Sequence, residues 1–336
     1  MSPTRPPLRF WLIIATALLV ACSDPEEPNT TVDQADEQES EQDLEISEIS
    51  EISEISEISE LDQLDSTDSS QGHGGLSCVS EGTVSVDGSS YAYCVATVGA
   101  LELKIVEPQA VGDAPLRLAL YFHGDGAGPY TSGLALKKHA PYTSTHGILY
   151  VAAKAPNGCA WWLSPEYTVC DGQTPIPDEA IDRAGENAEA VQELIETLRG
   201  AWDISNEAIL LGGSSGGSIF LTANFLPLFG EQYPGYYALS CGGAPPYDGT
   251  LAWEANSAAR ERSALSFTYG DKDFVLEDVE AAAAFYEGLQ FSVSRKVVPE
   301  TGAPSSSHCG NVGGSYSYDQ LGRVPEAWSE LLAAED

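Results

Sequence analysis

Short apolar runs, separated by polar and amphipathic stretches, dominate the chain beyond about residue 100 and predict alternating strands and helices. The run LRLALYFHG, at residues 116–124, is almost continuously apolar. A strand of a parallel sheet that is buried on both faces has this composition. Shorter runs of the same kind predict further strands at 147–156, 208–213, 236–244, 264–270 and 291–299.

Helical periodicity appears between these runs. The clearest case is 184–201, where one face carries the apolar residues Ala190, Val191, Leu194, Ile195 and Leu198. Three more helices are predicted: one that begins at Ser215, one at 276–289 and one at 318–333.

The segment ahead of these elements has a different pattern. The stretch TVSVDGSSYAYCVATV predicts a β-hairpin that turns at Asp87-Gly88, and LELKIVEP predicts a third antiparallel strand. Antiparallel strands followed by strand–helix alternation indicate an α/β fold: a mostly parallel sheet with antiparallel N-terminal strands and helices on both faces. Right-handed crossovers then bring the loops that follow the parallel strands to one edge of the sheet.

The first 21 residues carry a targeting signal. Arg5 and Arg9 precede a short apolar run that ends at Cys22. Basic residues before such a run are typical of a signal peptide. The sequence around Cys22 resembles a bacterial lipobox, which implies lipidation of that cysteine. Together with Ser23, the resemblance implies an exported protein anchored to the cell envelope at the outer membrane, facing the periplasm or the outside.

Residues 22–72 form an acidic segment that contains five Glu-Ile-Ser repeats at 45–59. A period of three keeps the isoleucines neither on one helix face nor on one strand face. High charge and low hydrophobicity then predict a disordered tether. A partner-binding segment is the alternative interpretation.

Residues 73–336 have the length of one domain, with 33 acidic and 13 basic residues. This charge provides no basic patch for nucleic acid. The sequence also shows no phosphate-binding loop and no metal-ligand spacing, so neither a cofactor nor a metal is predicted.

Six cysteines follow Cys22, and an even number in an exported chain favours disulfides. Pairing each cysteine with its nearest neighbour gives Cys78–Cys94, Cys159–Cys170 and Cys241–Cys309. Six cysteines allow 15 connectivities, so other pairings stay open.

The stretch AILLGGSSGGSIF places two adjacent serines between glycine pairs, where a strand passes into a helix. A Gly-x-Ser-x-Gly turn holds its serine out at the carboxyl edge of the sheet. The strand length before the first glycine favours Ser214 as the nucleophile, with the Ser215 N–H as an oxyanion donor. The register centred on Ser215 is the alternative.

The loop after the 116–124 strand reads HGDG and begins at His123. It resembles the His-Gly-x-Gly loop of lipases and esterases, which supplies a second oxyanion N–H. The resemblance implies that Asp125 donates this N–H, with Gly124 as the alternative. We expect His123 itself to hold the loop by hydrogen bonds.

The remaining triad positions follow the chain order Ser, acid, His. His308 is the only histidine after the serine pair, and Asp271 and Asp273 lie just beyond the 264–270 strand. Such an acid holds the tautomer of the histidine that acts as general base.

With these motifs the chain resembles an α/β-hydrolase, and it is similar to secreted polyhydroxybutyrate depolymerases and feruloyl or acetylxylan esterases. The likeness covers roughly residues 100–336. The family's Gly-x-x-Asp spacing implies Asp273 as the acid rather than Asp271. The resemblance implies hydrolysis of carboxylic esters by an acyl-enzyme route, without a cofactor.

The substrate and the assembly are less defined. Trp161, Trp162 and Tyr167 lie in a long loop and are expected to form an aromatic wall for substrate or, alternatively, the private core of that loop. Little room is left for a large lid, which favours bulky substrates such as polymeric or aryl esters. A serine peptidase and a non-catalytic binding module are the competing functions. The oligomeric state stays open.

Overall fold

A mixed β-sheet forms the centre of the domain in the computed structural model, which describes residues 75–109, 114–169, 171, 174–299 and 308. Within these residues the strands are β1 (Ser80–Val86), β2 (Ser89–Val98), β3 (Leu101–Val106), β4 (Arg117–Phe122), β5 (Ile148–Lys154), β6 (Ile209–Ser214), β7 (Gly235–Ser240), β8 (Ala264–Gly270) and β9 (Ser292–Val298). The α-helices are α1 (Gly128–Thr131), α2 (Leu134–His146), α3 (Glu186–Ala201), α4 (Gly216–Phe220), α5 (Leu226–Phe229) and α6 (Leu276–Gly288).

The strands lie in the order β1-β2-β3-β5-β4-β6-β7-β8-β9. The pairs β1–β2, β2–β3 and β3–β5 are antiparallel, and the pairs from β5–β4 to β8–β9 are parallel. The predicted α/β architecture is therefore confirmed, and the order after β1 is that of the α/β-hydrolase fold. The carboxyl ends of the parallel strands β4 to β9 share one edge of the sheet.

The predicted N-terminal hairpin is confirmed at its turn. Val86 pairs with Ser89, so Asp87 and Gly88 are the two loop residues. Both have positive φ, 49° and 81°. A two-residue turn with positive φ at both positions matches the right-handed twist of the flanking strands.

Strand β4 lies near the middle of the sheet and is buried on both faces, which explains its continuous apolar pattern. Leu118, Leu120 and Phe122 join the larger core cluster, which includes helix α3. Ala119 and Tyr121 point to the other face, where they pack in the cluster that contains residues of α2. Alternate side chains of a strand point to opposite faces, so each needs an apolar partner here.

The helix that follows β6 changes its pitch. Helix α4 continues through a π-helical segment, Leu221–Phe225, into α5. Pro227, near the start of α5, has no N–H to donate to the preceding turn. The wider π turn at this point lets the chain continue as a helix to Phe229.

Helix α2 is absent from the sequence-based prediction. It contains Pro141 and two adjacent lysines, and apolar residues do not recur along it at a helical period. Ala135, Leu136 and Ala140 nevertheless pack on the sheet and are buried. Tertiary packing, rather than an amphipathic pattern, stabilises this helix.

Several predictions lie outside the described residues. They concern the signal peptide, Cys22 with its lipid anchor, the acidic tether to residue 72, and the helix at 318–333. These stay predictions. None of the helices in the described part of the chain has the length and apolar character that a bilayer crossing needs.

Of the three predicted disulfides, Cys78–Cys94 is present. Cys159 and Cys241 are also disulfide-bonded. Their predicted partners Cys170 and Cys309 fall outside the described residues, so those two pairings stay predictions.

Replacing Cys78 and Cys94 by serine should lower the free energy of unfolding by about 3 kcal/mol, because the bond closes a loop between residues separated by 16 positions. Urea unfolding in buffer free of reductant measures this, since the other disulfides then stay formed. A loss below about 1 kcal/mol would mean that β1 contributes little to the cooperative unit.

Candidate active site

The turn between β6 and α4 forces Ser215 into a strained conformation. Strand β6 ends at Ser214 and helix α4 begins at Gly216. Ser215 has φ 50° and ψ −120°, which is rare for a residue with a side chain. Such backbone strain costs on the order of 1–3 kcal/mol and persists only where the surroundings enforce it.

Two glycines enforce this turn by allowing close backbone contact. A Cβ on Gly213 would lie 2.6 Å from the carbonyl carbon of Gly217, and one on Gly217 would lie 2.2 Å from the Phe122 carbonyl oxygen. These glycines stand two residues before and two residues after Ser215. The close packing therefore selects the Gly-x-Ser-x-Gly register centred on Ser215.

Three side chains from different elements meet at this edge of the sheet. The Ser215 Oγ lies 2.8 Å from His308 Nε2. His308 Nδ1 lies 2.8 Å from Asp273 Oδ1. Asp273 follows β8, and a second hydrogen bond from the Val275 N–H, at 3.2 Å, helps to hold its Oδ1.

These contacts define the tautomer of His308. A carboxylate only accepts hydrogen bonds, so Nδ1 carries the proton that it donates to Asp273. Nε2 is then the acceptor for the Ser215 hydroxyl. The arrangement can take a proton from the serine hydroxyl while the carboxylate stabilises the resulting imidazolium. Of the two predicted acids, Asp273 is the one in contact with His308.

The prediction that Ser214 stands at the centre of the turn is wrong. Ser214 pairs with Ser240 as the last residue of β6, and its Oγ lies 3.1 Å from the Tyr121 hydroxyl. Its side chain points to the face that also holds Leu210. Strand β6 extends one residue further than the sequence suggested, and the alternation along it turns Ser214 away from His308.

The predicted oxyanion donor at Ser215 is also wrong, because the Ser215 N–H donates to the Ser240 carbonyl at 2.8 Å. The one-residue shift makes the Gly216 N–H, at the start of α4, the equivalent group. The loop after β4 lies against the same point, since a Cβ on Gly124 would be 3.1 Å from Ser215 Cβ. Gly124 and its neighbour Asp125 therefore stay candidates for the second donor.

His123 is buried and holds this loop, as expected. Its Nε2 accepts the Ala155 N–H at 3.0 Å, so Nδ1 carries the proton and donates to the Gly124 carbonyl at 2.7 Å. Burial of the ring lowers the pKa of His123 to about 4. The neutral ring thus links the ends of β4 and β5.

A carboxylate stands directly over the first turn of α4. Trp162 Nε1 donates to both oxygens of Asp125, at 3.0 and 3.3 Å. A Cβ on Gly216 would lie 2.0 Å from Asp125 Oδ1. Desolvation raises the pKa of Asp125 to about 6, although the Trp162 hydrogen bond and the charge of His308 oppose the shift.

The structure places the three residues of the predicted aromatic wall in different surroundings. Trp161 is fully buried and packs edge-on against Phe122 with ring centroids 4.9 Å apart, so it belongs to the core. Tyr167 packs on the small cluster beneath its own loop. Of the three aromatic residues, Trp162 is placed against the serine turn: it hydrogen-bonds Asp125, and a Cβ on Gly216 would lie 2.9 Å from its Cδ1.

Three contributors to the site are absent from the sequence-based prediction. Phe274 packs on the His308 ring with centroids 4.4 Å apart. Tyr121 contacts Ser214 from the adjacent strand. Gly242 is also required, because a Cβ there would lie 2.3 Å from the Ser215 carbonyl oxygen. The glycine pair after Cys241 was a usable signal; nothing local marked the two aromatic residues.

Within the described residues, no group of three or more His, Cys, Asp or Glu side chains is arranged to bind a metal.

Comparison with known proteins gives weak structural likeness only. No family model and no curated protein matches the chain. A thermostable esterase is 16% identical with a TM-score of 0.46, over 75% of this chain and 62% of that one. The chain thus spans less than two thirds of that esterase.

Two further structures are similar at the same level. A hormone-sensitive lipase from a metagenome library is 15% identical with a TM-score of 0.43, over 71% of this chain and 84% of the lipase. A fungal esterase from Rhizomucor miehei is 14% identical with a TM-score of 0.43, over 78% of this chain and 87% of that one.

Gly217→Ala should destabilise the domain by roughly 1–3 kcal/mol or more, because the new methyl group would meet the Phe122 carbonyl. Urea unfolding measures the change. Gly200→Ala, in α3, is the matched control: its Cβ position meets no described heavy atom within 4 Å apart from chain neighbours and the helix's own backbone. We therefore expect up to about 1 kcal/mol of stabilisation. Equal stability of the two variants would contradict the close packing at Gly217.

The buried His123 predicts a pH effect with a defined sign. The unfolded chain takes up the proton near its ordinary pKa of 6.5, whereas the folded state resists until about 4. The stabilisation is therefore complete above 6.5 and is lost as the pH falls towards 4. The advantage of wild type over His123→Asn should shrink by about 2 kcal/mol between pH 7 and pH 5.

The difference between the two proteins is the quantity to follow, because Asp125 acts with the opposite sign. Its raised pKa makes the folded state gain stability as the pH falls through about 6. A pH-independent difference between wild type and His123→Asn would show that His123 is not held neutral.

Proposed function

We propose that the protein is a serine hydrolase that cleaves carboxylic esters through an acyl-enzyme intermediate. One observation carries the proposal: the Ser215 hydroxyl, at a strained strand–helix turn, contacts His308, which contacts Asp273. The α/β-hydrolase topology supports it, because the three residues follow β6, β8 and β9 in the order Ser, acid, His.

In this mechanism Ser215 is the nucleophile. His308 Nε2 takes the hydroxyl proton as the oxygen attacks the ester carbonyl, and Asp273 stabilises the imidazolium. His308 then donates the proton to the leaving alcohol, and the C–O bond of the tetrahedral intermediate breaks. Water, activated in the same way, hydrolyses the acyl-enzyme and regenerates the Ser215 hydroxyl.

The oxyanion is stabilised by backbone N–H groups in this proposal. The first is the Gly216 N–H at the start of α4, where the helix dipole also favours negative charge. The second comes from the loop after β4, at Asp125 or Gly124. Loss of one such donor costs roughly 3–4 kcal/mol of transition-state stabilisation in well-studied enzymes.

Bulky alcohols or acids are the substrates favoured by the absence of room for a large lid that the sequence predicts. The connections after β6 and β8 are occupied by α4, α5 and α6. We therefore extend the proposal to polymeric or aryl esters, the substrates of the depolymerases and feruloyl esterases that the sequence resembles. An envelope anchor at Cys22 would present such a site to external esters.

The test is hydrolysis of p-nitrophenyl esters, from acetate to decanoate, by the full-length protein and its Ser215→Ala and Ser214→Ala variants. Ser215→Ala should lose at least about a thousandfold in kcat, because the nucleophile is gone. Ser214→Ala is the matched control, one residue away with its hydroxyl turned to Tyr121, and should keep most of the activity.

Labelling by a fluorophosphonate probe adds an independent readout. Wild type and Ser214→Ala should be labelled, and Ser215→Ala should not. Cleavage of peptide amides but not esters would favour the serine peptidase. A wild-type protein that neither reacts with the probe nor hydrolyses any ester would leave the binding module as the function.

A further inference from the structure

The Asp125 carboxylate creates an electrostatic problem for the proposed reaction. Its Oδ1 lies against Gly216, whose N–H is a proposed oxyanion donor. An ionised carboxylate at this position opposes the negative charge that develops on the ester oxygen. Burial raises the pKa of Asp125 to about 6, so the group is mostly ionised at pH 7.5.

The carboxylate cannot simply turn away. Trp162 Nε1 donates to both of its oxygens, and the Trp162 ring is buried at the base of the loop after β5. Asp125 Oδ1 is also packed against Gly216, where the side chain of any larger residue would collide with it. The negative charge is therefore a fixed part of the site.

Among the described residues, the charge of His308 lowers the pKa of Asp125 but does not reverse the effect of burial. In the part of the chain that the structure describes, no lysine or arginine forms an ion pair with Asp125. The domain as a whole is strongly acidic, with 33 acidic and 13 basic residues. A cation on the substrate would add a positive charge beside the Asp125 carboxylate.

We propose that Asp125 is a specificity-determining residue that selects esters carrying a positively charged amine or quaternary ammonium close to the scissile carbonyl. This inference rests on the proposed ester hydrolysis. A substrate cation would pair with the carboxylate and cancel its repulsion of the oxyanion. Uncharged esters would be cleaved more slowly, and esters with an added carboxylate more slowly still.

The test uses two pairs of esters that differ only in charge. In the first pair the positive charge lies on the alcohol part of the ester: acetylcholine is compared with its carbon isostere, in which a quaternary carbon replaces the nitrogen. In the second pair, betaine ethyl ester and its carbon isostere, the positive charge lies on the acyl part. We would measure kcat/KM for all four by pH-stat titration at pH 7.5, with the full-length wild type and with Asp125→Asn.

Asp125→Asn keeps the shape of the side chain, an acceptor for Trp162 Nε1 and the backbone N–H, and it removes the charge. Wild type should prefer the cationic member of at least one pair by roughly tenfold more than the variant does. The uncharged isosteres should be cleaved faster by the variant than by wild type, since the repulsion is gone. Comparing the two proteins cancels the intrinsic reactivity of each ester.

Asp248→Asn is the matched control, because it removes one exposed carboxylate from the loop after β7. It should leave the charge preference unchanged. A preference that changes less than threefold in both pairs on Asp125→Asn overturns the inference, as does an equal change with Asp248→Asn. Thermal unfolding and fluorophosphonate labelling of Ser215 establish that each variant is folded.

The two proposals fail differently. Wild type that is labelled at Ser215 and cleaves charged and uncharged esters alike, with no effect of Asp125→Asn, contradicts only the role of Asp125. Wild type that is unlabelled and inactive on all four esters contradicts the hydrolase itself.

Discussion

The close contact between the backbone of the Ser215 turn and its neighbours is the constraint on which the site depends. The turn needs glycine at 213, 217 and 242, because a methyl group at any of these positions would overlap neighbouring backbone atoms. Because these contacts hold Ser215 at positive φ, its hydroxyl leaves the line of the strand and reaches His308. The strain is local, and the surrounding parallel sheet sustains it.

Position in the sheet then brings the other groups within reach. Strands β4, β6 and β8 end at the same edge, so His123, Ser215 and Asp273 come from distant parts of the chain to one edge of the sheet. Each follows its strand by only a few residues, which leaves little freedom. The rigid sheet thus orients side chains that short loops present.

At this edge of the sheet, burial affects which side chains are charged as much as ion pairing does. The buried His123 ring stays neutral and serves as a hydrogen-bonding link, whereas the Asp125 carboxylate is fixed by Trp162 beside the serine turn. Desolvation shifts the pKa of both groups in the direction that disfavours their charged forms. A carboxylate therefore lies beside the Gly216 N–H, the donor proposed for the oxyanion.

Pattern and chain order predicted the α/β class, the hairpin at Asp87-Gly88, the helix at 184–201 and the candidates His308, Asp271 and Asp273, because these depend on local periodicity and on sequence position. The choice between Ser214 and Ser215 comes from the fold instead, because it depends on where β6 ends against β7 and on which glycines touch neighbouring backbone. The tertiary structure also assigned Trp161 to the core and revealed α2, whose stability comes from packing on the sheet. A one-residue shift in a strand reverses which side chain faces the site, and no local pattern records that shift.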